Sequence, residues 1–530
     1  RDLFKSPESL DYSTETDPKK KGSYYLVNSR SDRFDGNLTL AYNKTIDKHM
    51  LNVGVGSNIM QSETEGESFT GVGFINPDMI FIGAANAFQE NTSPQGTYDK
   101  SRLVGFFTNV NYGYGNRYFL DFSFRSDGSS KFGRNSRFAP FWALGVAWNV
   151  HNESFWHAHE KNALKLRASV GSTGTTNFSS TQALTTYLYD FSREYNGNFG
   201  VSLAGYGNPD LKWQTTLAYN VGVDFTFLRG LVVFNGDFYI KNTRSLLLPV
   251  TVAPSTGFID YVENIGKLRN TGVEARLRFN LIQDAVKDLR WNVTLSAFHN
   301  RSKITQLSNQ LETINQYAND DRANQGTVVY RQFEAGRSQT ALMVVRSGGI
   351  DPATGNEIYI KRNGEMTFEY NHNDKIECGD MKPKIEGNVN TNLNWKGFNL
   401  YMLFKYQYGG KIYNATLASK VEGANPLKNA DKRVLYDRWK EPGDHAKFRR
   451  IDDTSAPYQT TRLVFDNNLL ALQSVSLSYE LPRKISQKMY MERVKLLLSS
   501  TDLFRLSSVK QERGTSYPFA RTFSIGLNVT

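Results

Sequence analysis

Over most of its length this chain alternates apolar and polar residues in twos, the period of a strand with one apolar and one wet face. In residues 117–125, Tyr118, Leu120, Phe122 and Phe124 fall on one face and Asp121, Ser123 and Arg125 on the other. Trp142, Leu144, Val146 and Trp148 oppose Ala143, Gly145 and Ala147 in the same way, and Leu217, Tyr219, Val221, Val223, Phe225 and Phe227 oppose Asn220, Gly222, Asp224 and Thr226. Val273, Ala275, Leu277 and Phe279 oppose Glu274, Arg276, Arg278 and Asn280, while Phe398, Leu400, Met402, Phe404 and Tyr406 oppose Asn399, Lys405 and Gln407. About fifteen such segments are present.

Their length narrows the fold further. Ten residues at about 3.3 Å each, tilted by about 40°, rise roughly 25 Å, the apolar height of an outer-membrane β-barrel. Sandwich strands average about half that length. The polar face carries charges that a second packed sheet would not cover but a wet lumen accepts, and Tyr112, Tyr114, Tyr118, Tyr406 and Tyr408 fall where interfacial aromatic girdles belong. Mean hydropathy is −0.49, and no uncharged apolar run is long enough for a helical span, which leaves strands as the only way across a bilayer. The expected fold is all-β, a transmembrane antiparallel barrel wall. Residues 1–21 read as a loop before the strands, and residues 22–530 as the barrel portion with long extracellular loops.

The connections have sides. Tight links at Gly115-Asn116, Arg229-Gly230 and Lys396-Gly397 join strand pairs, and long Gly-, Asn- and Ser-rich stretches separate the pairs, at 61–100, 175–212, 302–387 and 409–466. Short periplasmic turns and long external loops are the arrangement of bacterial outer-membrane barrels. The formal net charge of +11 is spread along 530 residues, and its densest cluster, Lys19, Lys20 and Lys21, reads as a solvated loop; no nucleic-acid partner is implied.

No constellation of catalytic or metal-ligating residues emerges. His157, His159 and Glu160 read as a polar loop cluster, and the seven histidines (49, 151, 157, 159, 299, 372 and 445) lie in no pattern with a nucleophile. One cysteine, Cys378, excludes a disulfide framework and multi-cysteine metal sites. Asp351-Pro352-Ala353-Thr354-Gly355 is first of all a hairpin turn. Tyr187, Tyr189, Phe191, Tyr195 and Phe199 make the 175–212 loop the most plausible ligand surface, although packing of the loop would use the same residues. The expectation is therefore no enzyme, no cofactor and no metal, with substrate-binding residues undetermined.

Longer strings form an ordered set: RYFLDFSFRSDGSSKFG (117–133), RFAPFWALGVAWNV (137–150), LKLRASVGSTG (164–174), NPDLKWQTTLAYNVGVDFTFL (208–228) and PSTGFIDYVENIGKLRNTGVEARL (254–277). GGIDPATGNEIYI (348–360), GDMKPKIEGNVNTNLNWKGFNLYMLFKYQYGGKIYN (379–414) and RTFSIGLNV (521–529) follow. With these, the chain resembles the SusC/RagA family of TonB-dependent outer-membrane transporters of the Bacteroidetes, which are Gram-negative. The resemblance implies a barrel of about 22 strands. It further implies an N-terminal plug inside the barrel, a TonB-contacting segment before the plug, a SusD-like surface lipoprotein as partner, and import of oligosaccharides or peptides across the outer membrane. Neither plug nor first strands are expected within this sequence, and a wall of about fifteen strands cannot close alone, because its edges would leave backbone groups unpaired in lipid. The family also leads one to expect an aromatic residue beyond Thr530. A passive porin and a soluble β-rich glycan-binding or adhesive protein are the alternatives.

Overall fold

In the computed structural model the described residues are all except 1, 10, 11, 14, 15, 91–93, 158–161, 177–181, 197, 252–259, 265, 308–314, 316–332, 425–430, 454, 456 and 510–520. Their main sheet holds seventeen strands, two of them short, Asp2–Lys5 and Ala87–Phe88. The other fifteen are the wall. In order they are β1 (Ser23–Ile46), β2 (His49–Val72), β3 (Gln95–Tyr114), β4 (Tyr118–Ser129), β5 (Phe138–Asn149), β6 (Ala163–Thr175), β7 (Gln214–Phe227) and β8 (Val232–Arg244). There follow β9 (Lys267–Asp284), β10 (Leu289–Gln306), β11 (Ile385–Trp395), β12 (Phe398–Tyr408), β13 (Leu469–Glu480), β14 (Val494–Ser507) and β15 (Thr522–Val529). Each pairs antiparallel with the next. Among the described residues no ladder joins β15 to β1, so the wall is an open sheet.

Residues directly opposite in an antiparallel pair share a face, so register carries the alternation of one strand across the wall. Val110, Phe122, Leu144, Val170, Tyr219 and Ile240 form one outward row from β3 to β8. One residue along, Asn111, Asp121, Gly145, Ser169, Asn220 and Tyr239 form an inward row. A slip of one residue would put the second row in lipid, and this is what fixes the register.

The links sort by side as expected. At one end lie 47–48, 115–117, 228–231, 285–288 and 396–397, with somewhat longer links at 150–162 and 481–493; at the other lie 73–94, 130–137, 176–213, 245–266, 307–384, 409–468 and 508–521. The tight turns need left-handed backbone, and Gly115 and Asn116 supply it with φ of 57° and 56°.

Two readings of the sequence change. Residues 61–100 are not one loop, because β2 runs on to Val72 and β3 begins at Gln95. Likewise β10 extends to Gln306. The cause is visible on β1–β3, where the outward face is apolar up to the row Phe34, Gln61, Arg102 and charged beyond it, with Asp32, Glu63 and Lys100 opposite one another. Beyond that row both faces are polar, so pairing continues without alternation. Lys100 is 2.8 Å from Glu63, and Tyr98 donates to the same carboxylate at 2.6 Å. Within residues 1–21, read as a loop, Asp2–Lys5 pairs with the free edge of β1, Asp2 opposite Leu26 and Lys5 opposite Ser23; four residues are too few to show a period.

Two of the recognisable strings meet at the long-loop end. Phe132 stacks on Trp213 with ring centroids 4.3 Å apart, Phe141 meets the same indole edge-on, and the Gly133 N–H donates to the Leu211 carbonyl at 3.0 Å. A Cβ on Gly133 would lie 1.9 Å from the Pro209 carbonyl oxygen, so this approach needs glycine. The 130–137 and 208–213 segments are thereby pinned together.

Candidate functional site: the inward wall and the outer loop body

The inward face has two parts of different chemistry. On β6–β9, Arg167 donates to Asp224 (Nε–Oδ2 2.8 Å) and to Asp237 (Nη1–Oδ1 3.0 Å), and Asn235 adds an amide to Asp224 at 2.8 Å. Gly222 lies under this triad, and a Cβ there would meet the Arg167 guanidinium and Asp237 at 2.6–2.7 Å. A cavity of about 620 Å³ opens here, bounded by Asp237, Glu274, Arg276 and Phe298. Arg167 and its two aspartates answer one another, and Glu274 stands with Arg276 and Arg278 on the next strand.

On β10–β12 the inward face is made mostly of uncharged polar groups. Glu386, Asn388, Asn390, Asn392 and Asn394 alternate inward on β11, between Phe298, Ser296, Thr294, Asn292 and Arg290 of β10 and Gln407, Lys405, Leu403, Tyr401 and Asn399 of β12. Asn394 and Asn399 both donate to the Asn392 carbonyl oxygen, at 2.8 and 3.0 Å. Of the charges expected to face inward, Glu274, Arg276 and Arg278 share the first part and Lys405 belongs to the second.

Outside the wall, the described parts of 307–384 and 409–468 fold into one body. Ala341–Ile350 pairs with Glu357–Ile360 and with Lys375–Asp380, and Val345 bridges to Thr460. Its apolar centre includes Tyr413, Val421, Val434, Phe448 and Leu463. Beside it lies a buried ion network: Arg462 donates to Glu357 at 2.9 Å and to Glu422 at 2.6 Å, and Arg449 donates to Glu422 at 2.9 Å. Burial alone would push the Arg462 guanidinium down, but the two facing carboxylates outweigh it and raise its affinity for the proton. Burial likewise pushes Tyr359 up and Cys378 up to about 11, and pushes Lys375 down to about 8.

The Asp351–Gly355 segment is the hairpin turn expected, with the Gly355 N–H donating to the Asp351 carbonyl and the Thr354 hydroxyl to the Asp351 carboxylate at 2.6 Å. That bond holds Asp351 below the usual carboxylate range. Trp439 covers the turn, its indole donating to the Pro352 carbonyl at 2.9 Å, and borders a cleft of about 500 Å³ with Leu435, Arg450 and Ile451. The Lys19–Lys21 cluster sits on an exposed turn, with Lys20 2.6 Å from Glu90.

Of the aromatic loop, Thr186–Tyr195 and Asn198–Gly205 form a hairpin with Val201 opposite Tyr189, and Tyr187 is exposed. His157 lies in a turn after Trp156, while His159 and Glu160 lie outside the described residues. No group of three potential metal ligands occurs among the described residues, and none of their helices is long and apolar enough to cross a membrane. Sequence reasoning missed the ion network, whose members are single charges in aperiodic loops; the asparagine alternation on β11 was legible but went unread.

Residues 4–337 match the family described as TonB dependent receptor-like, beta-barrel. The chain is similar to TonB-dependent receptor P3 of Formosa agariphila, 26% identical over 534 residues that cover 92% of this chain and 51% of that protein. It is also similar to TonB-dependent receptor SusC of Bacteroides thetaiotaomicron, 27% identical over 333 residues, 61% of this chain and 32% of that protein. The fold resembles a solved structure of the RagAB peptide transporter, with a TM-score of 0.80 at 22% identity over 92% of this chain and 53% of that one. The chain spans about half the length of the curated relatives that match over 92–93% of it. With an outward apolar belt, an inward polar face and sided loops, the chain belongs to the TonB-dependent receptor β-barrel family of the bacterial outer membrane.

Proposed function

We propose that this chain is the barrel wall of an energised importer that brings oligosaccharides or peptides across the outer membrane, working with a SusD-like surface lipoprotein and with the TonB complex. Residues 22–530 are its barrel portion, and the plug and TonB-contacting segment belong to the N-terminal part implied by the family. The observation that supports this best is the pairing of an outward apolar row across β3–β8 with an inward face of charges and amides. Such a wall does no bond chemistry, and its work is to hold a wet passage open and to present loops to the medium. The similarity to SusC supports a TonB-dependent receptor, and the likeness in fold to the RagAB peptide transporter is in keeping with an oligomeric cargo.

The test is uptake by cells carrying the full-length protein, with labelled oligosaccharides and peptides as probes. Import should stop when the proton-motive force is collapsed or TonB is deleted. Flux that persists under both conditions would instead mean a passive porin.

A further inference from the structure

Gly36, Ile59, Val104, Gly128 and Phe138 stand side by side in one outward row across β1–β5. Aromatic rings overlie the two glycines: a Cβ on Gly128 would lie 2.5 Å from the Phe138 ring, and one on Gly36 would lie 3.4 Å from the Phe34 ring. Ile59 and Val104 lie between, and with Phe138 they form the apolar floor of a cavity of about 390 Å³ on the outer surface of the wall. Ile59 and Phe138 are exposed. The floor belongs to the apolar zone, and the next row up, Phe34, Gln61 and Arg102, is the last before the charged one. An occupant of this cavity therefore has hydrocarbon below it and water above it.

The mouth is cationic. Arg102 donates from Nε to the Gln61 side-chain carbonyl at 3.0 Å, which occupies one of the five donors of its guanidinium. Arg137 borders the cavity just before β5, where its main-chain carbonyl accepts from the Ser129 N–H and from the Trp213 indole, both at 3.1 Å. The residue is thus held by its backbone rather than by its charge. Among the described residues neither arginine ion-pairs with a carboxylate, and no carboxylate borders the cavity. In the row above, Glu63 has one oxygen held by Tyr98 and the other by Lys100. Two guanidiniums at one cavity without an acid complement a group with several anionic oxygens, and the planar fork of arginine matches phosphate.

We propose that this cavity binds a phosphate-bearing lipid of the outer leaflet, with the phosphate on Arg102 and Arg137 and an acyl chain along Ile59, Val104 and Phe138. A soluble anion would answer the guanidiniums and leave the floor bare, and an uncharged acyl chain would cover the floor and leave two cations unanswered. An anionic amphiphile does both. The site is on the outside of the wall, so its occupancy does not depend on the cargo or on whether the wall is gated. A lipid held there fixes the height of the β1–β5 flank in the leaflet, and through Arg137 it bears on the 130–137 segment that is pinned to 208–213.

The test uses the full-length protein extracted from its own outer membrane in a non-ionic detergent, with phosphorylated lipid A, the same lipid freed of phosphate, and inorganic phosphate as probes, and counts bound molecules by native mass spectrometry. The phosphorylated lipid should bind, and Arg102→Gln together with Arg137→Gln should weaken it by about tenfold, since charge-assisted hydrogen bonds are removed. Arg30→Gln should leave binding unchanged, because that guanidinium is already paired with Asp32 at 2.8 Å. A photo-crosslinking amino acid in place of Phe138, in whole cells, should capture lipid, and this readout stands should the double variant insert poorly. Equal binding of the dephosphorylated lipid would reduce the site to an apolar patch, and displacement of the lipid by inorganic phosphate would make it a free-anion site. An equal loss in Arg30→Gln would mean a diffuse field, and crosslinks to protein alone would mean a protein interface. Each of these four results would overturn the proposal.

Discussion

Arg462 donates to Glu357 at 2.9 Å across 105 residues of sequence, and the same guanidinium reaches Glu422 at 2.6 Å. Glu357 belongs to the segment between β10 and β11, and Arg462 and Glu422 to the segment between β12 and β13. Two long loops therefore share one buried network. Such ions are costly to desolvate and hold only while all partners are present.

Removing the central cation should separate the loops. Arg462→Leu leaves Glu357 buried without its cation and Glu422 with Arg449 alone, a loss of about 3 to 5 kcal/mol. Hydrogen exchange should rise across 341–380 and 433–463 together, with the wall strands unaffected. A rise confined to one of the two segments would show that they fold independently.

Lys375 gives the outer body a pH dependence of definite sign. Burial lowers its ammonium to about 8 from an unfolded value of 10.5, so between these values the unfolded chain holds more protons than the folded one. Stability rises with pH through that window, and below it the penalty is present in full. The melting temperature of the outer body should increase from pH 8 toward 10, and Lys375→Met should flatten that slope. A slope of equal size in the variant would assign it to another group.

The face assignment can be read by insertion. Phe122→Arg puts a charge in the outward row, at a cost of roughly 2 to 4 kcal/mol near the bilayer centre, whereas Ser123→Arg faces the lumen. Membrane yield should fall for the first and hold for the second. Gly222 faces the lumen as well but is a poor control, because Arg167 and Asp237 already occupy the space of its side chain.

Gly133→Ala tests the pin between the 130–137 and 208–213 segments. The added methyl meets the Pro209 carbonyl, and overpacking of this kind costs about 1 to 3 kcal/mol. Protease nicking of intact cells near 208–213 should quicken, and Trp213 fluorescence should shift to the red. If both stay unchanged, the two segments do not depend on this contact.

The wall was legible because one face meets lipid: Phe122, Leu144 and Tyr219 announce their strands, and register does the rest. The strand extensions above the belt were not, since Glu63, Glu65 and Glu67 face water with water also behind them, and pairing between polar residues leaves no period. The turn at Asp351–Gly355 could be read from its proline and glycine, but nothing local revealed that Trp439 closes over it, because that contact spans 87 residues. Of the inward wall, the charges Glu274, Arg276 and Lys405 were found by alternation. The pairing of Arg167 with Asp224 and Asp237 was not, because ion pairing depends on which strand lies alongside.

The charged row beginning at Asp32, Glu63 and Lys100 marks where β1–β3 leave the apolar zone, and from there to Ser23 the first strand continues for about ten residues, roughly 25 Å of tilted height. On this flank a solute must pass a tall rail before it reaches the level of the lipid. For the importer wall proposed above, a cargo released at the entrance would meet that rail again before it could drift off sideways, so recapture as well as intrinsic affinity would set how long it stays.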